Sequence, residues 1–198
     1  MSVLDDGDLW EKARLGETDA FGVLFDRHAG AILAYCFRRT ADQALAEDLT
    51  SVVFLEAWRK HNDVRLAGDK VLPWLYGVAT NVLRNQRRSL RRYRAALERV
   101  PPAGDESDFA DAVVDRLERE QRMRDILATV ASLPRVEQDV LTLCVWQGLS
   151  SAAAAQALSV PEPTVRTRLH RARRHLRDQL DLGNDRTQLA SAEGTDPR

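Results

Sequence analysis

Residues 148–176, GLSSAAAAQALSVPEPTVRTRLHRARRHL, predict two helices joined by a tight turn. Ser150 is a good N-cap for a short helix over 151–158, because its hydroxyl can accept a hydrogen bond from a free backbone N–H of the first turn. Ser159 lies at the turn, and Pro161 opens the second helix, where a missing N–H costs little. This order and spacing are typical of a helix-turn-helix motif.

The second helix of the motif, predicted over 162–181, has two chemically different faces. At about 100° per residue, one narrow apolar stripe faces the core: Val165, Leu169, Ala172 and Leu176. The opposite face carries Thr167, His170, Arg171 and Arg174, and the flanks carry Arg166, Arg168 and Arg173. Such a helix suits the major groove of DNA, because its front reaches base edges while flanking arginines meet phosphates. A solvated basic surface helix is the alternative.

The charge of the chain is balanced in total but segregated along the sequence. The 198 residues contain 29 Lys and Arg against 30 Asp and Glu, a net charge of −1. Residues 84–99 nevertheless hold seven Arg against one acid, and residues 162–177 hold six Arg against one acid. Acidic segments at 1–26 and 105–125 offset them. Because two basic helices fit a phosphate backbone, the neutral total does not exclude a nucleic-acid binder.

No pattern in the sequence predicts catalysis or a bound cofactor. Cys36 and Cys144 stand in apolar helical segments and are expected to be buried thiols. The sequence has no nucleophile–base cluster, metal-ligand spacing or glycine-rich phosphate loop. The N-terminus lacks a signal-peptide core, and no apolar run approaches the roughly 18 residues that span a bilayer. We therefore expect a cytoplasmic protein that is not an enzyme, needs no metal or cofactor and does not insert into membranes.

Helical periodicity runs through the chain, and no segment alternates like a strand. The N-terminal helices are predicted at 7–15, 18–40, 42–60 and 73–97, the third with Leu45, Leu49, Val52, Val53 and Leu55 or Trp58 inward. The C-terminal helices are predicted at 109–132, 135–147, 150–158 and 162–181. The fold class is therefore all-α, with two small helical domains at 1–97 and 112–182. A flexible, acidic Pro/Gly-containing linker over 98–111 joins them, and a disordered tail over 183–198 follows.

Two pairs of sequence blocks, in this order, resemble a known family. They are AEDLTSVVFLEAWRK with LPWLYGVATNVLRNQRRSLRR, and LPRVEQDVLTLCVWQGLS with PTVRTRLHRARRHL. Together they resemble a bacterial RNA polymerase sigma factor of the extracytoplasmic-function (ECF) type, over about residues 15–181. The resemblance implies a sigma region 2 helical bundle followed by a sigma region 4 helix-turn-helix domain. It also implies a subunit that directs core RNA polymerase to promoters and helps to open DNA at the −10 element.

The same resemblance implies roles for individual residues. The helix at 42–60 would dock on the β′ clamp helices of core polymerase through Glu47, Asp48 and Ser51. The helix from Pro73 would bind the melted −10 strand through Asn81, Arg84, Arg87, Arg88 and Arg91. The C-terminal helix would bind the −35 duplex through Arg166, Thr167, His170, Arg171 and Arg174. The β flap of the polymerase and an anti-sigma factor are further implied partners.

Several residues depart from the family pattern. Ser159 replaces the usual turn glycine, at a cost of roughly 1 kcal/mol if it is left-handed. Ser51 and Val52 replace Gln-Glu in the polymerase-binding helix. Gly77 and Thr80 stand where the family often has Arg or another polar residue. Trp74 has the chemistry to stack on a base, but a core role is expected for it.

Two other functions stay open from the sequence. One is a stand-alone helix-turn-helix regulator that binds DNA without polymerase, which leaves the blocks at 42–60 and 73–92 unexplained. The other is a degenerate relative that acts mainly as a partner-binding protein. Co-purification with core polymerase distinguishes the first from a sigma factor.

Overall fold

The computed structural model describes residues 4–66, 70–97 and 112–193, with side chains described except at 91, 93–97, 112–115 and 180–193. The secondary structure in these ranges is helical, as predicted. The elements are α1 (Asp6–Arg14), α2 (Thr18–Thr40), α3 (Gln43–Lys60), α4 (Val71–Leu97), α5 (Ala112–Ala131), α6 (Arg135–Leu141), a π-helical turn (Thr142–Trp146), α7 (Ser151–Leu158) and α8 (Glu162–Glu193). The linker predicted over 98–111 lies outside the described residues.

Helices α1 to α4 form a bundle around an aromatic and aliphatic core. Asp42 begins α3 by accepting a hydrogen bond from the Leu45 N–H at 2.9 Å, as an N-cap does. Trp10 is fully buried, and its indole N–H donates to the Val64 carbonyl at 2.8 Å. Its ring meets Trp74 edge-on, with 4.9 Å between centroids. Trp74 therefore belongs to the core, as expected.

The helix-turn-helix motif has the predicted caps. The Ser150 hydroxyl accepts a hydrogen bond from the Ala153 N–H at 3.1 Å and begins α7. Ser159 ends α7 in the left-handed region, with φ of 53°, and the Val160 N–H donates back to the Ala155 carbonyl at 3.1 Å. The backbone strain expected at Ser159 is therefore present.

Two C-terminal helix boundaries differ from prediction. The helix predicted over 135–147 changes to a π-helical turn at Thr142. Helix α8 continues to Glu193, whereas the sequence predicted a disordered tail from 183. Extending an existing helix avoids the cost of nucleation, and Gln188, Leu189 and Ala190 favour the helical state. Residues 194–198 lie outside the described range.

The two helical groups pack directly against each other, which the sequence did not predict. Most of their buried apolar side chains form a shared cluster in which Leu75 and Ala79 of α4 join Ala154 and Val165 of the helix-turn-helix motif, and a smaller cluster lies within the C-terminal group. The approach is tightest at Gly77, where an added Cβ would lie 2.5 Å from the carbonyl oxygen of Ala157 on α7. Any other residue at this position would push the two helices apart.

Candidate nucleic-acid and polymerase interfaces

The predicted recognition face of α8 is exposed to solvent. Val165 and Ala172 are fully buried, and the other two residues of the apolar stripe are half-buried, as the periodicity predicted. The predicted contact residues are all exposed: Arg166, Thr167, His170, Arg171 and Arg174. Arg166 pairs with Glu162 at 3.6 Å. An exposed pair of this kind contributes little stability, so Arg166 can exchange it for a phosphate.

The predicted −10 residues lie along α4: Asn81, Arg84, Arg87, Arg88 and Arg91. Asn81 and Arg88 are exposed, and Arg87 is half-buried. The Arg84 side chain keeps 44% of its surface exposed. The side chain of Arg91 lies outside the described residues. The structure thus places four of these side chains along the basic part of one helix.

A buried ion-pair cluster holds Arg84 at the contact between the two helical groups. Asp139 of α6 accepts from Arg39 at 2.5 Å and from Arg84 at 2.8 Å. The Asp139 and Arg39 side chains are only 3% and 4% exposed. Removing one partner of such a pair leaves a buried charge uncompensated, at a typical cost of about 3–5 kcal/mol. Sequence reasoning missed both residues, although a charged residue within an apolar helical stripe was an available signal.

Arg87 lies beside this cluster and donates to the Arg39 carbonyl oxygen at 2.9 Å. Burial lowers the pKa of Arg87 to about 10, and the neighbouring charges of Arg39 and Arg135 add to this effect. The group still carries its proton at neutral pH. The middle of α4 is therefore a concentrated patch of positive charge.

Thr80 and Gly77, where the family often has polar contacts, are buried. The Thr80 hydroxyl is 2.8 Å from the Tyr35 hydroxyl and donates to the Tyr76 carbonyl at 2.8 Å. The Tyr76 hydroxyl in turn donates to the Gln147 side chain at 3.1 Å, across the contact between the helical groups. Both positions therefore serve packing in this arrangement.

Helix α3 presents an exposed face that combines acidic and apolar side chains. Glu47, Asp48 and Ser51, the predicted polymerase-binding residues, are exposed. Val52 and Leu55 are 42% and 67% exposed, so the prediction that Val52 points inward is wrong. Of the alternatives Leu55 and Trp58, Trp58 is the one that is partly buried. The physical reason is that the buried row of α3 lies on another face, at 46, 49, 53 and 57. Positions 48, 52 and 55 share one face of the helix, and a mixed face of this kind suits a protein–protein contact.

Metal sites, reactive thiols and membrane-spanning helices each place requirements on the described side chains. No group of three or more His, Cys, Asp or Glu side chains there is placed to hold a metal ion. Cys36 is fully buried, and burial raises the pKa of its thiol to about 11, which makes it unreactive at neutral pH. In the described part of the chain, no helix has the length and apolar character needed to cross a membrane.

Comparison with known proteins covers both helical groups. A family model described as sigma-70 region 2 matches residues 24–93, and one described as sigma-70 region 4 matches residues 123–176. The chain is 34% identical over 179 residues to the ECF RNA polymerase sigma factor SigL of Mycobacterium tuberculosis, covering 86% of this chain and 95% of SigL. It is 32% identical over 171 residues to the ECF RNA polymerase sigma factor BldN of Streptomyces coelicolor, covering 85% of this chain. That match spans 63% of BldN.

Solved structures share the fold. CnrH in complex with the cytosolic domain of CnrY aligns with a TM-score of 0.66 at 24% identity, covering 89% of this chain and 97% of that one. The sigma factor RpoE in complex with the anti-sigma factor NepR from Bartonella quintana aligns with a TM-score of 0.60 at 20% identity, covering 81% of this chain and 96% of that one. With both sigma-70 domains matched in order and 34% identity across most of SigL, the chain belongs to the ECF family of RNA polymerase sigma factors, which direct core polymerase to promoters.

Proposed function

We propose that residues 1–97 bind core RNA polymerase and the −10 element, and that residues 112–182 bind the −35 duplex. Residues 98–111 connect the two. The observation that carries this proposal is the separation of three distinct surfaces: the acidic and apolar face of α3, the basic face of α4 and the exposed face of α8. Two DNA contacts fixed on one polymerase bind more tightly than either alone, because each raises the effective concentration of the other.

The −35 contact is assigned to α8. Arg171 and His170 occupy the centre of the exposed face, where they can reach base edges in the major groove. Thr167 and Arg174 extend the same face, and Arg166 meets the phosphates beside it.

The −10 contact is assigned to α4. Asn81 is exposed and carries both a donor and an acceptor, as recognition of an unstacked base edge requires. Arg84, Arg87, Arg88 and Arg91 follow it along the helix and suit the backbone of a melted strand. Asp139 competes with that backbone for Arg84, so Arg84 must leave this ion pair before it can bind a phosphate of the strand.

The proposed protein partners are inferred from the exposed face of α3 and from the complexes in which related structures were solved. Glu47, Asp48 and Ser51, together with Val52 and Leu55, form the proposed contact with the β′ clamp helices. The C-terminal domain is assigned to the β flap. Because two structural neighbours were solved with CnrY and NepR bound, an anti-sigma factor is also proposed for this chain. The protein acts in the cytoplasm, without catalytic chemistry, metal or cofactor of its own.

Two matched variants test the assignment of the −10 contact to α4 and of the −35 contact to α8. Asn81→Ala should leave closed promoter complexes intact but reduce strand opening, measured as permanganate reactivity of thymines at −10 with core polymerase present. Arg171→Ala should weaken the closed complex itself. Unchanged permanganate reactivity in Asn81→Ala would contradict the −10 assignment. Full promoter binding by the chain without core polymerase would favour the stand-alone regulator.

A further inference from the structure

A cavity of about 230 Å³ lies where α2, α4 and α6 meet, and charged side chains line it. Its lining residues are Arg39, Arg84, Arg87, Arg88, Arg135 and Asp139. Five guanidinium groups therefore face one carboxylate, which leaves a local excess of four positive charges. The cavity exists only where the two helical groups are packed together, because each group supplies part of the lining.

Internal partners satisfy only part of this cluster. Asp139 is shared by Arg39 and Arg84, and Arg87 donates to a backbone carbonyl. Among the residues that the structure describes, Arg88 and Arg135 make no ion pair. The Arg39 side chain is only 4% exposed. Its Nε atom is therefore out of reach of solvent, and among the described residues it has no hydrogen-bond partner.

This arrangement has the physical properties of an anion site. Like charges held this close together repel one another unless an anion neutralises them. The pKa of Arg87 is lowered first by burial and then by the charges of Arg39 and Arg135, which agrees with such repulsion. Guanidinium groups bind phosphate oxygens through paired, charge-assisted hydrogen bonds. An anion in the cavity would supply acceptors for the unpaired donors and offset the excess charge.

We propose that this cavity binds a small diphosphate anion, either inorganic pyrophosphate or the diphosphate end of a nucleotide. With a volume of about 230 Å³, the cavity has room for two linked phosphate groups. The ligand would contact α4 and α6 together, so it binds the packed arrangement and not the separated domains. By mass action it stabilises that packing. The proposal does not depend on promoter binding.

Isothermal titration of the full chain at constant ionic strength tests the proposal, with inorganic pyrophosphate and ADP as separate probes. Saturable binding with one site per chain is expected for at least one probe. Tight binding of pyrophosphate with none of ADP identifies an inorganic ligand, and ADP binding at equal or higher affinity identifies a nucleotide; both support the proposal. The absence of saturable binding by either probe would overturn it.

Arg135→Ala is the matched variant, because Arg135 is exposed, lines the cavity and has no assigned promoter contact. It should weaken pyrophosphate binding about tenfold or more. Arg177→Ala is the control, since Arg177 is also exposed but does not line the cavity. Equal weakening by both variants would show non-specific charge attraction and refute the site. Gly77→Arg, which separates α4 from α7, should abolish binding while the helical content stays unchanged.

Discussion

Ser159 is a polar residue in a backbone conformation that favours glycine. Its φ of 53° places it in the left-handed region at the turn of the helix-turn-helix motif. A serine there carries a steric cost that glycine avoids. Because Ser159 stands where the family usually has glycine, the sequence predicted this cost on condition that the residue is left-handed, and the structure shows that it is.

Ser159→Gly should therefore raise the free energy of unfolding by about 1 kcal/mol, measured by urea denaturation. Ala152→Gly is the control: the same residue type introduced within α7 should lower stability by about 1 kcal/mol. A Ser159→Gly protein that is less stable than the parent would contradict the strain argument.

Single residues on α8 also separate base recognition from phosphate binding. Arg171→Ala should cost about 1–3 kcal/mol of discrimination between −35 sequences, measured by competition binding of the polymerase holoenzyme. Arg173→Ala, on the flank of the helix, should weaken binding to all sequences equally and reduce the salt dependence. Equal losses on every sequence for Arg171→Ala would show that it contacts phosphate only.

The two cysteines differ in burial, and this predicts their reactivity. Cys36 is fully buried, which raises the pKa of its thiol to about 11, whereas Cys144 is only half-buried, and burial raises its pKa as well. Because thiolate is the reactive form, iodoacetamide at pH 8.5 should label Cys144 first and Cys36 only in denaturant. Mass spectrometry of the labelled peptides measures this order. Rapid labelling of Cys36 in the native protein would contradict the described core.

At the scale of elements, the contact between α4 and α7 depends on one glycine. Gly77→Arg should part the two helices, because even a Cβ there would lie 2.5 Å from the Ala157 carbonyl oxygen. The expected result is a larger radius of gyration in small-angle X-ray scattering with unchanged helical circular dichroism. Gly30→Arg is the control, since an added Cβ at Gly30 meets nothing within 4 Å. An unchanged radius for Gly77→Arg would show that the contact tolerates a side chain.

Local patterns predicted the elements well and their mutual packing poorly. The caps at Ser150 and Asp42 and the buried stripe through Val165 follow from short-range chemistry, so the sequence was sufficient for them. Val52 and Leu55 are apolar yet exposed, and residue type alone cannot separate a core side chain from one at a protein interface. The extension of α8 past 182 depends on helix propagation, which a polar sequence does not exclude.

At the scale of the whole molecule, the structure differs from the sequence prediction in how the two domains are arranged. The sequence predicted two domains joined by a linker, whereas in the structure they share a buried cluster. Segregated charge correctly indicated two basic helices, but pairwise contacts such as Arg39 with Asp139 join residues 100 positions apart. No periodicity within a helix encodes such a pair. The packing buries the Asp139 carboxylate against Arg84 of the proposed −10 surface, so Arg84 must leave this ion pair before it can contact promoter DNA.

Run-off transcription on genomic fragments, with start sites mapped, measures whether this chain confers promoter choice on core RNA polymerase through two DNA contacts. We expect transcripts only when polymerase and chain are both present, at starts that share two upstream motifs at constant spacing. Arg171→Ala should change the preference for the −35 motif and leave the preference for the −10 motif unchanged. Transcription that starts at the same sites without the chain, or no chain-dependent start at all, would show that the chain does not direct promoter choice.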